Sequence, residues 1–162
     1  YRLGRKSLMM NNTLIFKPKS KKLNQERSTT DYIVLWCYPS DDRRLNQLYI
    51  HQDDFLFLAV AYGIAIDHSG LDIYECYALK KQDWLKLLNE ARKLIRFNSF
   101  KDMYDYLQQV KQEIAYDYTY SLTNYPDAVW NDRKEIDSML DDIFAWTEFI
   151  MQDGDEIEIL GL

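Results

Sequence analysis

The sequence is short of histidine, glycine and proline, and it lacks the glycine-rich motifs of common catalytic sites. Its two histidines leave few groups for acid–base catalysis near neutral pH. No GxxxxGKS or GxxxxGKT loop, no GxGxxG and no GxSxG is present, which excludes the commonest phosphate-binding loops and serine-hydrolase sites. Five glycines, three prolines and 47% hydrophobic residues argue against a disordered or linker-rich chain.

Cysteine and long apolar runs are also scarce. Cys37 and Cys76 lie in apolar surroundings and form no CxxC pair, so we interpret them as two buried thiols in a reducing cytoplasm. A single disulfide is the alternative. The longest apolar run, residues 55–66, spans about twelve residues, which is too short to cross a bilayer. The sequence therefore predicts a cytoplasmic protein without a membrane segment.

The length suits one domain, because a chain of 162 residues can bury a sufficient hydrophobic core without disulfides or bound metals. We predict a single α+β domain over residues 10–162. Residues 1–9 precede the methionine at position 10, and we interpret them as a cloning remnant or an upstream extension.

Strand patterns occur mainly in the first half of the chain. Residues 13–17, 31–38, 48–52 and 71–79 are rich in β-branched and aromatic residues or alternate in polarity. Residues 155–160 alternate carboxylates with isoleucine or leucine, which predicts a strand at the edge of the sheet with its carboxylates outward. We expect a small sheet of about four strands from the N-terminal half plus this C-terminal edge strand.

Helical patterns dominate from the middle of the chain. Residues 53–66 fit a buried helix capped by Asp53 or a strand, and we favour the helix. Residues 82–97 place apolar side chains at i, i+3, i+4 and i+7, and residues 99–114 begin with Ser99 as a cap.

The last part of the chain predicts one more long helix. It begins near Pro126 and stops at the glycine at position 154. The preceding residues 115–122 alternate tyrosine with polar residues, and they form either a strand or an extension of the helix before them. Three to four helices in all are expected to pack on the sheet.

A catalytic site is imaginable only around the two histidines. His51, Asp53, Asp54, Asp67 and His68 together supply metal-ligand chemistry, but their spacing matches no ligand motif. Turn and helix-cap roles are the favoured interpretation of these residues. We expect no enzyme activity, no cofactor and no resident metal, and a small metal-dependent hydrolase stays as an alternative.

Charge is distributed unevenly along the chain. Residues 1–50 carry ten Lys and Arg against four Asp and Glu, whereas residues 101–162 carry four against fifteen. The formal net charge is −6. An acidic segment of this kind repels nucleic acid and attracts a cationic partner.

Three carboxylates, those of Asp137, Asp141 and Glu148, fall within roughly 40° of one another on the predicted last helix. No lysine follows any of them at i+4, and uncompensated like charges destabilise a helix mildly. The pattern favours an interface for a basic partner. A solvated face that keeps the protein soluble is the alternative.

In these traits the chain resembles, at the level of class, the small acidic immunity proteins that neutralise toxin domains of bacterial contact-dependent inhibition and other polymorphic toxin systems. Residues 137–149 and 153–160 carry the resemblance, because they set carboxylates beside aromatic rings. It implies direct binding to a basic toxin domain, such as a nuclease. The implied electrostatic contacts are Asp137, Asp141, Glu148, Asp153, Asp155, Glu156 and Glu158, and the implied aromatic anchors are Trp130, Trp146 and Tyr125. A nucleic-acid mimic or regulatory adaptor is a further alternative.

Overall fold

The computed structural model describes residues 16–24, 32–38, 47–113, 126–152 and 154–161, and the fold is α+β as predicted. Four strands form one antiparallel sheet in the order β2-β1-β4-β3. The strands are β1 (Tyr32–Tyr38), β2 (Leu48–His51), β3 (Cys76–Lys80) and β4 (Glu156–Leu160).

The C-terminal strand β4 is present, but it lies inside the sheet. Glu158 has Trp36 of β1 as its Cα partner on one side and Ala78 of β3 on the other. Ile157 and Ile159 are buried, whereas Glu156, Glu158 and Leu160 are half-buried. The prediction that the carboxylates of this strand share one face is confirmed. The prediction that the strand lies at the edge of the sheet is wrong, because β4 is paired on both sides.

Two other strand predictions differ from the structure in extent. Of residues 13–17, positions 13–15 lie outside the described residues, and Phe16 and Lys17 belong to no strand. The strand predicted over residues 71–79 begins only at Cys76. Asp72 explains the late start, because its side chain accepts a hydrogen bond from the Tyr74 amide at 2.9 Å and closes a turn.

Five helices are described: α1 (Gln52–Ala65), α2 (Lys81–Ile95), α3 (Phe100–Glu113), α4 (Pro126–Asn131) and α5 (Arg133–Ile150). The helix interpretation of the ambiguous apolar run is confirmed by α1. Its cap is His51 and not Asp53, since the Asp53 amide donates to His51 Nδ1 at 3.2 Å. The Ser99 cap of α3 is confirmed, with its Oγ accepting from the Asp102 amide at 3.2 Å.

The predicted last helix is divided into α4 and α5 at Asp132. The Arg133 side chain spans the break: its Nη1 donates to the Trp130 carbonyl at 2.6 Å, and its guanidinium carbon lies 4.1 Å from the Trp130 ring centroid. Helix α5 ends at Ile150, before the glycine at position 154. Residues 115–122, predicted as strand or helix, lie outside the described residues.

The core lies between one face of the sheet and helices α1, α2 and α5. The apolar stripe predicted on α2 is confirmed as buried, and it comprises Trp84, Leu87, Leu88, Ala91, Leu94 and Ile95. A buried hydrogen bond joins α2 to α5, with Trp84 Nε1 donating to Thr147 Oγ1 at 2.9 Å. Among the described helices, none combines the length and the apolar character that crossing a membrane requires.

The segment 16–24, which we call the N-terminal strap, joins α5 to the sheet. Phe16 contacts Phe149 with ring centroids 5.8 Å apart, and the Ser20 amide donates to the buried carboxylate of Asp142 at 2.5 Å. Further along, Leu23 forms an isolated β-bridge with Ile50. The strap therefore covers part of the outer edge of β2.

Gly161 occupies a position with no room for a side chain. A Cβ there would lie 2.5 Å from the Glu75 carbonyl oxygen and closer still to that of Ile73. We expect Gly161→Ala to lower the free energy of unfolding by about 1 to 3 kcal/mol, because backbone has to shift to relieve the contact. Urea denaturation measures this, and an unchanged midpoint would show that the chain end is not held against residues 73–75 in solution.

Candidate functional site

Strand β4 presents Glu156 and Glu158 on the side of the sheet away from the core. The opposite side of the sheet is buried and includes Ile33, Leu35 and Ile157. We call the side with the two glutamates the outer face; it carries Tyr32, Val34, Trp36, Tyr49, His51, Cys76, Ala78, Lys80, Glu156, Glu158 and Leu160.

Carboxylates and aromatic rings lie next to each other on the outer face. Trp36 Nε1 donates a hydrogen bond to Glu158 Oε2, which fixes the indole beside the carboxylate. Glu156 has Lys80 as its Cα partner on β3. Tyr49 is 39% exposed, and Trp36 and Glu158 are half-buried. Sequence analysis identified the two glutamates but missed Trp36 and Tyr49, whose alternation with Ile33, Leu35 and Ile50 was the available signal.

Two of the three carboxylates that the sequence singled out on α5, Asp137 and Asp141, are neutralised by arginines of α2. Arg96 of α2 makes a two-point ion pair with Asp137, with Nε to Oδ1 at 3.0 Å and Nη2 to Oδ2 at 3.2 Å. Arg92 Nη2 donates to Asp141 Oδ1. The hydrogen bond from Arg96 to Asp137 raises the pKa of Arg96 above its usual value. Asp137 and Asp141 therefore lie at the contact between α5 and α2, where two arginines compensate their charge.

The sequence does contain a signal for these two ion pairs. Arg92 and Arg96 are four residues apart, as are Asp137 and Asp141, and the order of pairing is reversed because the helices run antiparallel. The i+4 positions within α5 do not reveal this pairing, because the arginines lie on α2.

Two of the predicted contact residues are structural. Trp146 is 0% exposed and belongs to the core, so it is unavailable as a surface anchor. Asp155 is 8% exposed; its Oδ2 accepts from the Gln152 amide at 2.8 Å and lies 3.6 Å from Cys37 Sγ. This carboxylate closes the turn between α5 and β4.

The remaining predicted contacts are dispersed. Glu148 is exposed on α5, and Trp130 is half-buried on α4, where its ring meets Phe100 edge-on with centroids 6.2 Å apart. Asp153 and Tyr125 lie outside the described residues. Glu156 and Glu158 share the outer face with the half-buried Trp36 and the exposed Tyr49.

The two cysteines lie on opposite faces of the sheet. Cys37 is buried on the core side, and Cys76 is exposed on the outer face, contrary to the prediction that both are core residues. Strand β4 separates their two strands, so no disulfide joins them.

Part of the alternative catalytic constellation does come together. His51, Asp53 and Asp54 line a cavity of about 380 Å³ with Tyr32 and Lys22. His51 sits where β2 becomes α1, so its ring faces the first turn of the helix. Tyr32 and His51 are paired residues on the same face of the sheet as Val34 and Tyr49, so the cavity lies at one end of the outer face.

The other two residues of that constellation are remote. Asp67 and His68 follow the C-terminus of α1, and a helix of 14 residues is about 21 Å long. Asp67 caps its own turn by accepting from the Ser69 amide at 2.9 Å. Within the described ranges, no group of three or more His, Cys, Asp or Glu side chains is arranged to hold a metal ion.

Lys22 of the strap forms ion pairs with carboxylates on two walls of the cavity. Its Nζ lies 2.7 Å from Asp54 Oδ1 and 2.6 Å from Asp132 Oδ2, linking α1 to the junction of α4 and α5. Burial acts to lower the pKa of Lys22, but hydrogen bonds to Asp132 and Asp54 outweigh it, and the pKa is raised.

Replacing Lys22 by methionine is expected to lower the free energy of unfolding by about 2 kcal/mol at neutral pH, because two carboxylates lose their partner. Since the pKa of Lys22 is raised in the folded state, its contribution is complete below the unfolded value of about 10.4 and is lost as pH rises through the folded value. Urea unfolding from pH 9 upward should bring the two proteins closer together. A constant difference across alkaline pH would contradict the ion-pair role.

Comparison of the chain with protein-family models, with curated proteins and with solved structures found no match.

Proposed function

We propose that the protein is an acidic protein-binding module that holds and neutralises a cationic partner. The observation that carries the proposal is the placement of Glu156 and Glu158 beside Trp36 on the outer face, opposite the face that buries Ile33, Leu35 and Ile157 in the core. In this proposal the module acts as an immunity protein that inhibits a cognate basic toxin domain by direct contact.

Charge and side-chain type support this partner class. The chain has a formal net charge of −6, so its long-range field favours encounter with a basic protein. Tryptophan and tyrosine are enriched among the residues that dominate binding energy at protein interfaces. Trp36 supplies such a ring next to Glu158, and Tyr49 lies on the same face, across β1 from β4.

The carboxylates of α5 are less suited to binding a cationic partner. Asp137 and Asp141 are already paired with Arg96 and Arg92, so a partner would have to displace those guanidinium groups before gaining their charge. Glu148 is the one remaining exposed carboxylate of the predicted stripe. Binding energy gained at the outer face requires no such exchange of ion pairs.

The proposed site of action is the cytoplasm. Cys76 is a solvent-exposed thiol on β3, and exposed thiols persist as thiols in a reducing compartment. Alkylation of Cys76 in intact cells with a membrane-permeant maleimide tests this, because prior oxidation would block the reaction.

The experiment that tests the function is affinity capture from source-cell lysate at low and moderate salt, comparing the unmodified chain with a Glu156→Lys, Glu158→Lys double variant. We expect one basic protein to be retained in near-stoichiometric amounts by the unmodified chain and lost by the variant. Retained partner protein should lose its own activity in the complex. Capture of nothing, or equal capture by both baits, would refute the proposal.

A further inference from the structure

Strand β3 lies at one end of the sheet, and only its inner edge is paired, with β4, among the described strands. At the other end of the sheet, the strap covers β2 through the bridge between Leu23 and Ile50. Cys76, Ala78 and Lys80 of β3 are exposed. An open strand edge is a template for pairing with another chain, because its backbone donors and acceptors face outward.

The hydrogen-bond pattern identifies the backbone groups of β3 that point to the open edge. The Gly161 amide donates to the Glu75 carbonyl at 3.2 Å, which continues the register of β3 and β4 with a hydrogen-bonded pair. Such pairs alternate with non-bonded pairs along an antiparallel ladder, so the peptide groups of Cys76, Ala78 and Lys80 point away from β4. Lys80 is the N-cap of α2, and its carbonyl accepts the first helical hydrogen bond. The amides of all three residues and the carbonyls of Cys76 and Ala78 remain at the edge.

The side chains around this edge are suited to contact with an identical edge. Tyr74, two residues before β3, is 68% exposed and is the most exposed large apolar side chain among the described residues. Glu75 precedes the strand and Lys80 ends it, and both are exposed. When two copies of the strand run antiparallel, the acidic end of each meets the basic end of the other, and opposite charges across a strand pair are stabilising.

We propose that the protein pairs with a second copy of itself along the β3 edge, which joins the two sheets into one antiparallel sheet. The twofold axis is perpendicular to the sheet and places Ala78 opposite its own copy. The two Ala78 peptide groups bond to each other, and each Lys80 amide donates to the Cys76 carbonyl of the other copy. Glu75 lies opposite the first residue of the other copy's α2, where a helix N-terminus and the neighbouring Lys80 both favour a carboxylate.

The pairing extends the outer face. A twofold axis perpendicular to the sheet keeps the outer faces of both copies on one side, so Glu156 and Glu158 of both copies point in the same direction. The dimer forms without any other partner and does not depend on the proposed function. Because β3 has five residues, the contact is small, and we expect a dissociation constant of roughly tens of micromolar.

Sedimentation velocity of the full chain from about 5 to 500 µM, at about 0.15 M salt, tests the proposal. We expect the monomer to convert to a dimer as concentration rises. Ala78→Pro removes an amide that the β3–β4 ladder does not use, and proline is tolerated at such edge positions. It should weaken self-association at least about tenfold and leave the far-ultraviolet circular dichroism unchanged.

A second pair of variants changes only exposed side chains and leaves the backbone of β3 intact. Tyr74→Ala should weaken self-association by about two- to tenfold, because the ring lies beside the start of α2 of the other copy. Tyr104→Ala is the matched control, since Tyr104 is 40% exposed on α3, away from the edge, and should leave the dimer unchanged.

Cross-linking tests the register. In a Cys76→Ser, Ala78→Cys variant, the two thiols lie on opposed residues with Cα atoms about 5.5 Å apart. In the unmodified chain, the two Cys76 residues are separated by four positions along the paired strands, or about 14 Å. A short bifunctional maleimide should therefore link the variant and leave the unmodified chain unlinked.

Three results would overturn the proposal: a monomer at every concentration, a dimer that neither Ala78→Pro nor Tyr74→Ala weakens, or equal cross-linking through both cysteine positions. A fourth is a chain that stays monomeric but captures a basic protein that Ala78→Pro releases. The β3 edge would then pair with a strand of a different protein.

Discussion

Reversing the charge of both Glu156 and Glu158 to lysine is expected to weaken binding of the cationic partner by at least about a hundredfold. Close charge pairs at interfaces couple by about 1.5 kcal/mol or more each, and each 1.4 kcal/mol is a factor of ten in affinity. Both residues lie on β4 of the outer face, two positions apart and beside Trp36. Calorimetric titration with the purified partner measures the change, which should shrink as salt increases.

Two controls make this result specific. Glu148→Lys reverses an exposed charge on α5 and should change affinity only slightly, as expected for a charge outside the interface. A Glu156→Gln, Glu158→Gln variant removes the charge but keeps an acceptor for Trp36 Nε1, so a fold defect can be distinguished from an electrostatic one. If Glu148→Lys proves the more damaging change, the interface lies on α5 and the outer-face account is wrong.

Replacing Trp146 by alanine should lower the free energy of unfolding by about 3 to 5 kcal/mol, the range for removing a large aromatic from a core. The side chain is 0% exposed on α5, within the layer that packs against α2. Cooperative urea unfolding followed by far-ultraviolet circular dichroism gives the difference.

Trp130 is the matched comparison for that substitution. It lies half-buried on the short helix α4, so Trp130→Ala should cost clearly less than Trp146→Ala. Under conditions where the Trp146 variant remains folded, its partner affinity should be unchanged. Loss of partner binding with full stability would mean that Trp146 is a surface anchor after all.

The elements of the fold were predictable because they depend on local periodicity. The buried stripe of α2 and the Ser99 cap follow from spacing and from one hydroxyl at the right offset. The interior position of β4 was not predictable in this way, because residues 156–160 alternate identically whether one or both edges are paired. Alternation determines which face a side chain occupies, and neighbouring strands depend on contacts distant in sequence.

The candidate site was half predictable for a related reason. Glu156 and Glu158 were identified from the sequence because a strand of alternating polarity sends both carboxylates to one face. Asp137 and Asp141 were misinterpreted because their neutralising arginines are more than forty residues away in the chain, at Arg96 and Arg92. Trp146 and Asp155 have side chains typical of interfaces, but burial depends on tertiary packing that composition does not show.

Carboxyl footprinting of the complex tests the central claim most directly. Carbodiimide coupling of glycine ethyl ester labels accessible Asp and Glu side chains, and mass spectrometry compares the chain alone with the chain bound to its partner. We predict that Glu156 and Glu158 lose labelling in the complex while Glu148 keeps it. Unchanged labelling of Glu156 and Glu158, with protection moving to Glu148 and its helix, would contradict the assignment of the outer face as the partner-binding surface.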